Sequence, residues 1–205
     1  MKIKIISTSI FVFFSLLMVA QTSVYYPFPD SNDVWNVTFG GLENTSCLQY
    51  SYTMVGDTSV NGKTYHKLIK KEVSFPPDPY GDVCNFCCPS LPVTSYAGAI
   101  RQDTMNRKIY FLPPSISTDT LLYDFTLNIG DTLKTYISVC SPGVIVTSVD
   151  SILIGTEYRK RWIVNREGCI FEGSIVEGIG SELGLLEPMI NFEYGGHLDC
   201  FSQNN

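Results

Sequence analysis

From Leu48 to Met54 apolar and polar residues alternate without a fault, with Leu48, Tyr50, Tyr52 and Met54 in one set and Gln49, Ser51 and Thr53 in the other. Successive side chains of a β-strand point to opposite faces, so a period of two describes a strand with one face in a core and one in water. Trp35, Val37 and Phe39 repeat the pattern around Asn36 and Thr38, as do Tyr123, Phe125 and Leu127 around Asp124 and Thr126. Beyond residue 20 no amphipathic helix longer than a turn or two can be traced; Ser181-Glu182-Leu183 would start one, but Gly184 and Pro188 stop it. The expected fold is all-β, an antiparallel meander of hairpins closing into a barrel or a sandwich, with little helix outside the first twenty residues.

Turn signals punctuate these runs. Asn61-Gly62, between Asp57 and Tyr65, supplies the two residues that tolerate positive φ in a tight type I′ hairpin. Asp103 to Tyr110 reads as a second hairpin, Asp150 to Tyr158 with Gly155 at its centre as a third, and Gly195-Gly196 as a fourth turn. The aspartates of the first three fall at 57, 103 and 150, a spacing that propeller blades also show. The segments between them do not resemble one another, and three blades fall short of the usual four to eight. The similarity is therefore read as shared hairpin chemistry, with a propeller as the lesser alternative. Between Ser74 and Pro92 the prolines 76, 77, 79, 89 and 92 and the cysteines 84, 87 and 88 replace any alternation. This stretch is expected to be one long loop inside a single domain, and a place to look for a binding surface.

Residues 1–20 begin with Lys2 and Lys4, run through an apolar core from Ile10 to Leu17 and end at Val19-Ala20. That is the layout of a secretory signal peptide, and the apolar core is shorter than the ~20 residues of a membrane span. The expected organisation is a signal peptide at 1–20 and a single all-β domain at 21–205, secreted or held at the cell surface, with no membrane span once the signal is removed. Processing would remove two of the 14 basic residues and none of the 20 acidic ones, taking the net charge from -6 to -8. Such a chain repels phosphate backbones and anionic membranes. Its longest basic clusters are Lys70-Lys71 and Arg159-Lys160-Arg161, so nucleic-acid binding is not expected.

The seven cysteines are Cys47, Cys84, Cys87, Cys88, Cys140, Cys169 and Cys200. In an exported chain all seven are disulfide candidates, and the odd number leaves at least one thiol over or paired to another chain. Cys84, Cys87 and Cys88 also have a spacing at which thiolates reach one zinc ion, but no second Cys-x-x-Cys follows and His66 and His197 lie far off in sequence. Disulfides are the favoured expectation, and no cofactor is expected.

Several strings resemble a group of uncharacterised exported proteins from Bacteroidetes: Gly56 to Leu68, Ala97 to Asp103 leading into Lys108-Ile109-Tyr110-Phe111, Leu122 to Phe125 followed by Gly130-Asp131-Thr132, Glu177 to Gly180 with Gly184-Leu185-Leu186, and Leu198 to Phe201. The resemblance covers most of the chain after residue 20, in order. It implies no enzymatic activity or catalytic residue. Members often end in a type IX secretion sorting domain; this sequence stops at Asn205, where such a domain would begin, so it is read either as a short member released by another route or as incomplete. The resemblance also implies O-glycosylation at Asp-Ser/Thr followed by an aliphatic residue, Met or Thr, which Thr104, Thr120, Thr132 and Ser151 fit. Asp-Thr and Asp-Ser equally end strands and start turns, and that reading is preferred.

Catalytic machinery is hard to find in the sequence. His66 and His197 stand outside any nucleophile motif, and no phosphate-binding loop, dinucleotide fingerprint or His-Glu-x-x-His zinc motif occurs. The acidic stretch Asp30 to Asp33 lacks the remaining positions of a calcium-binding loop. Glu177, Glu182, Glu187 and Glu193 offer carboxylates for glycoside hydrolysis, which needs two of them facing one bond. Recognition is the favoured role: Tyr and Phe together number 24, of which Phe11, Phe13 and Phe14 leave with the signal, and aromatic faces on a sheet suit sugar rings or protein partners. The expected function is a non-catalytic binding or adhesion module meeting a glycan or a protein at the cell surface. The alternatives are a secreted hydrolase acting on glycans and a β-barrel holding a small apolar ligand.

Overall fold

The computed structural model describes residues 24–41, 47–76, 89–138, 143–166, 172–189 and 194–202. They form two antiparallel sheets, each curled into a half-barrel. The chain first lays down a meander of six strands: β1 (Val34–Gly41), β2 (Cys47–Val60), β3 (Lys63–Phe75), β4 (Val93–Asp103), β5 (Lys108–Leu112) and β6 (Thr120–Asp124). It then builds the second sheet from β7 (Thr132–Leu133), β8 (Val144–Ile154), β9 (Glu157–Arg166), β10 (Glu172–Val176) and β11 (Gly180–Ser181). Finally β12 (Tyr194–Ser202) returns to the first sheet and pairs with β1, giving the order β12-β1-β2-β3-β4-β5-β6 beside β11-β10-β9-β8-β7. Sheets of seven and five strands are not the four-stranded blades of a propeller, which removes that alternative.

The alternation read in the sequence sets which face is inside. Trp35, Val37, Tyr50, Tyr52, Met54 and Leu68 of the first sheet meet Val144, Val146, Trp162, Val164 and Ile175 of the second in one core. Register shifts between Met54 and Asp57, Leu68 and Ile69, Ile109 and Tyr110, and Val146 and Ser148 bend the strands and increase their twist, which curls each sheet around this core. Phe28 enters ahead of β1 and stacks on Trp35 at 5.8 Å, with Tyr123 at 5.7 Å and Phe125 at 6.3 Å. Each such aromatic pair adds about 0.5–1.5 kcal/mol beyond area burial. The polar ends of these rings are matched: Trp35 Nε1 donates to the Ile179 carbonyl at 2.8 Å, Trp162 Nε1 to Leu127 at 2.9 Å and the Tyr123 hydroxyl to Leu185 at 2.6 Å. The Trp35 and Tyr123 bonds tie the first sheet to the segments flanking β11, and the Trp162 bond ties the second sheet to the segment after β6. On the other face of the first sheet a smaller cluster of Tyr65, Ala99 and Leu112 is fixed at its edge by the Asp119 carboxylate, which accepts from Tyr65 at 3.0 Å and from Arg101 at 2.5 Å.

Three hairpins stand where the turn residues place them. Asn61 and Gly62 have φ of 52° and 74° between the paired Val60 and Lys63, the two positive values of a type I′ turn. Asp103 pairs with Lys108 across a four-residue loop, where its carboxylate accepts from the Asn106 backbone at 3.0 Å and side chain at 2.8 Å. Gly155, with φ of 62°, turns between Ile154 and Glu157.

Two expectations are corrected. Gly195-Gly196 is not a turn but part of β12, opposite Gly40 and Phe39; a Cβ on Gly196 would run into the Leu183 carbonyl and the Glu187 side chain, so Gly196 serves close approach rather than chain reversal. The strand through Tyr123 ends at Asp124, because the Asp124 carboxylate accepts from the Thr126 N–H at 3.0 Å and hydroxyl at 2.6 Å and turns the chain. Phe125 is still buried, and its N–H bonds the Arg107 carbonyl at 3.0 Å outside the strand. No helix long and apolar enough to cross a membrane occurs among the described residues.

Candidate functional site

Tyr50 and Tyr52 sit two apart on the core face of β2, so both rings are buried and both hydroxyls need partners there. Glu187 supplies them: its Oε1 accepts from Tyr50 at 2.8 Å and from Tyr52 at 3.0 Å, and its Oε2 accepts from the Leu186 N–H at 3.0 Å. The carboxylate arrives on the segment that follows β11, whose path is fixed by bonds from Leu198 N–H to Glu182 at 2.8 Å and from Met189 N–H to Ile137 at 2.8 Å. Gly184, with φ of 128°, and Gly196 let this segment lie against β12, since a Cβ at either would collide with Glu187. Burial pushes the Glu187 carboxyl above its ordinary value, and the two tyrosines and the backbone N–H pull it back only in part. Both tyrosines are raised by burial first and then by the adjoining charge of Glu187.

Above this carboxylate lies a cleft of about 360 Å³. Its walls are Phe39, Tyr50, Tyr52, Phe111, Tyr136 and Lys70, with Ala97, Pro114, Leu186 and Pro188 completing them. Ala97 is the extra residue of the bulge opposite Leu68 and Ile69. Tyr136 is 40% exposed, stands 4.8 Å from the Phe111 ring and is held by its N–H bond to Leu121 at 2.7 Å. The Lys70 ammonium lies 3.9 Å over the Tyr50 ring and pairs with Glu72 at 2.5 Å. The cleft thus gathers tyrosine and phenylalanine rings around one hydrogen-bonded carboxylate and the Lys70 ammonium, a concave site of aromatic walls with few polar groups.

The other acids that the sequence offers for hydrolysis do not join Glu187. Glu182 accepts from the Ser174 hydroxyl at 2.6 Å. Glu177 is 1% exposed, and neither of its carboxylate oxygens has a hydrogen-bond partner in good geometry; burial raises its carboxyl, which the nearby Tyr26 backbone and the charges of Arg107 and Lys160 offset only in part. Burial, with the Glu177 charge behind it, also pushes the Tyr25 hydroxyl up to about 12. Glu193 lies outside the described residues. His66 is partnered by Asp57, Nδ1 to Oδ1 at 2.8 Å, and His197 is exposed on β12.

The zinc candidates Cys84, Cys87 and Cys88 lie outside the described residues, as do Cys140 and Cys169. Among the described residues no group of three or more His, Cys, Asp or Glu side chains is placed to hold a metal ion. Cys47 is fully buried opposite Phe75 and is not a free thiol. Cys200, also a disulfide candidate, is free and exposed on β12, where the Asn36 side-chain amide approaches its sulfur at 3.2 Å. Of the glycosylation candidates, Thr104 is exposed in the β4–β5 turn and Thr132 is exposed on the edge strand β7, whereas Thr120 on β6 and Ser151 on β8 are half-buried.

Sequence reasoning reaches Glu187 only as one of four acids and does not assemble the cleft. The signal that points to it is the Tyr50-x-Tyr52 pair: two hydroxyls on an apolar strand face oblige a buried acceptor. Compared with known protein families, with curated proteins and with solved structures, the chain matches none.

Proposed function

We propose that the protein is an exported, non-catalytic recognition module, secreted or at the cell surface, that takes its ligand in the cleft over Glu187. The observation that carries this reading is the cleft itself, in which aromatic rings surround a carboxylate already engaged by three donors. Rings of this kind bury large area at low entropic cost. The leader-like residues 1–20 and the resemblance to exported Bacteroidetes proteins support export. Disulfides among the cysteines other than Cys200 are part of the same reading.

A glycan hydrolase is the second reading, because Glu187 has the raised carboxyl of a general acid. It lacks support for the other half of the chemistry: among the described residues Glu187 is the one carboxylate that lines the cleft, and two are needed. A barrel for an apolar ligand fits less well, since the aromatic core fills the space between the sheets.

The test is binding of the immobilised mature protein to glycan and peptide libraries, comparing wild type with Tyr136→Ala. Binding that falls at least about ten-fold with Tyr136→Ala is expected, as for a central aromatic contact. Binding indifferent to Tyr136 overturns the cleft as the site, and release of reducing sugar that Glu187→Gln abolishes establishes the hydrolase.

A further inference from the structure

Resting on the reading of the cleft as the binding site, we propose that its ligand is an alkylammonium group, the end of a lysine side chain on a partner protein, seated among Tyr50, Tyr52 and Tyr136 in place of the Lys70 ammonium. Four observations point there. The hydroxyls of Tyr50 and Tyr52 are both spent on Glu187, so what these residues present to a ligand is ring face rather than donors. Ring faces carry negative electrostatic potential and attract cations. A neutral sugar needs free donors and acceptors in the wall, and the Glu187 carboxylate, with room for about four hydrogen bonds, already accepts three.

Charge agrees. Glu72 is the carboxylate that the ammonium over the Tyr50 ring already pairs with, a ligand ammonium displacing Lys70 inherits that partner, and the whole chain carries a net charge of -6. The field therefore draws a second cation toward the site. The chain also supplies its own precedent: Lys70, an ammonium on a four-carbon stem, already lies 3.9 Å over the Tyr50 ring. A site that seats this side chain from within has the length and width for another from outside. A volume of about 360 Å³ accommodates such a stem with its ammonium. Lys70 is then a self-occupant with which the ligand competes, and removing it strengthens binding.

The experiment is an NMR titration of the mature full chain and of Lys70→Gln with n-butylammonium chloride, with n-butanol as the neutral isostere and glucosamine as the amino-sugar arm. Saturable shifts at Ala97, Tyr136 and Leu186 are expected with n-butylammonium, about five-fold tighter in Lys70→Gln and absent with n-butanol, a gap within the usual range of cation–π attraction. Tyr136→Leu removes a partly exposed ring and is expected to abolish the shifts; it keeps the test decisive if Lys70→Gln does not fold. Equal binding of n-butanol overturns the cation assignment, tighter glucosamine overturns the lysine source, and no saturable shift in wild type or a folded Lys70→Gln overturns the proposal. The recognition reading fails separately, if library binding ignores Tyr136→Ala; neutral glycans bound through Tyr136 would leave that reading standing and remove only the ammonium.

Discussion

Glu187 is held between two opposing pressures, burial that disfavours its charge and three hydrogen bonds that favour it, and burial wins. Its folded value is raised above the ordinary 4.5, so folding favours the protonated form. The stability it contributes is full below that ordinary value and drains away as pH rises through the folded value; Glu177 behaves alike. Asp119 and Asp150 run the other way. Against burial, Asp119 is lowered by Arg101, Tyr65 and Lys63, and Asp150 is lowered chiefly by Arg161, so their contribution is full above the ordinary 3.8 and is lost as pH falls through their folded values. Stability is expected to peak in mild acid. Glu177→Gln, which removes a buried charge without well-formed hydrogen bonds, should raise the unfolding free energy at pH 8 by about 1–3 kcal/mol and by much less at pH 4. Urea unfolding at the two pH values checks this; an equal effect at both contradicts the burial argument. Gly184→Ala should cost at least about 2 kcal/mol, because its Cβ would strike Glu187 and its φ of 128° is closed to side chains, and a thermal midpoint unchanged by it would mean that Glu187 is not placed as described. At this scale the sequence is half legible: it marks Gly184 and Glu187 but not their contact, since nothing in one chain order says which strand face a distant carboxylate meets.

Hairpins show what local chemistry can specify. The Asn61-Gly62 turn is legible because both positive φ values are written into the residues themselves. A Cβ at Gly62 would meet nothing within 4 Å, so Gly62→Val acts through conformation alone and should cost about 1–2 kcal/mol. Unchanged thermal unfolding would refute the turn. The segment from Pro113 to Asp119 is held differently, by tertiary contacts: Asn61 donates to the Ser117 carbonyl at 3.0 Å, and Lys63, Tyr65 and Arg101 converge on Asp119. Asp119→Asn should cost about 1–3 kcal/mol, as expected when one member of a part-buried charged network is neutralised. Hydrogen exchange should speed locally across residues 113–119; exchange that stays unchanged there would show that the network does not hold the segment. Gly195-Gly196 misleads because glycine pairs signal turns by conformational freedom, whereas at Gly196 the demand is space beside Leu183 and Glu187, which only the assembled sheets create. Tyr123 to Leu127 misleads for a complementary reason, since Phe125 keeps its alternation of burial after the strand has ended at Asp124.

At the scale of the whole molecule the all-β class and antiparallel pairing are legible from the period of two, while the division into seven and five strands is not. That division depends on β12 crossing back to β1, a pairing between residues about 160 apart in sequence with no local signal. The odd number of cysteines requires a thiol outside any pair within the chain, and Cys200 is free and exposed. Alkylation of the native protein without reduction should therefore label Cys200 and leave Cys47 untouched, and peptide mass mapping reads the outcome; labelling of Cys47 before Cys200 contradicts the burial pattern. Net negative charge and a ring-lined cleft whose carboxylate already accepts three hydrogen bonds are the features on which the proposal of a recognition module rests. The most direct measurement is chemical-shift mapping of the isotope-labelled protein with the tightest ligand that the libraries yield. The account predicts shifts concentrated at Phe39, Ala97, Tyr136 and Leu186 and lost in Tyr136→Ala, with the ligand recovered intact; shifts centred elsewhere on the sheets, or a ligand recovered cleaved, would contradict it.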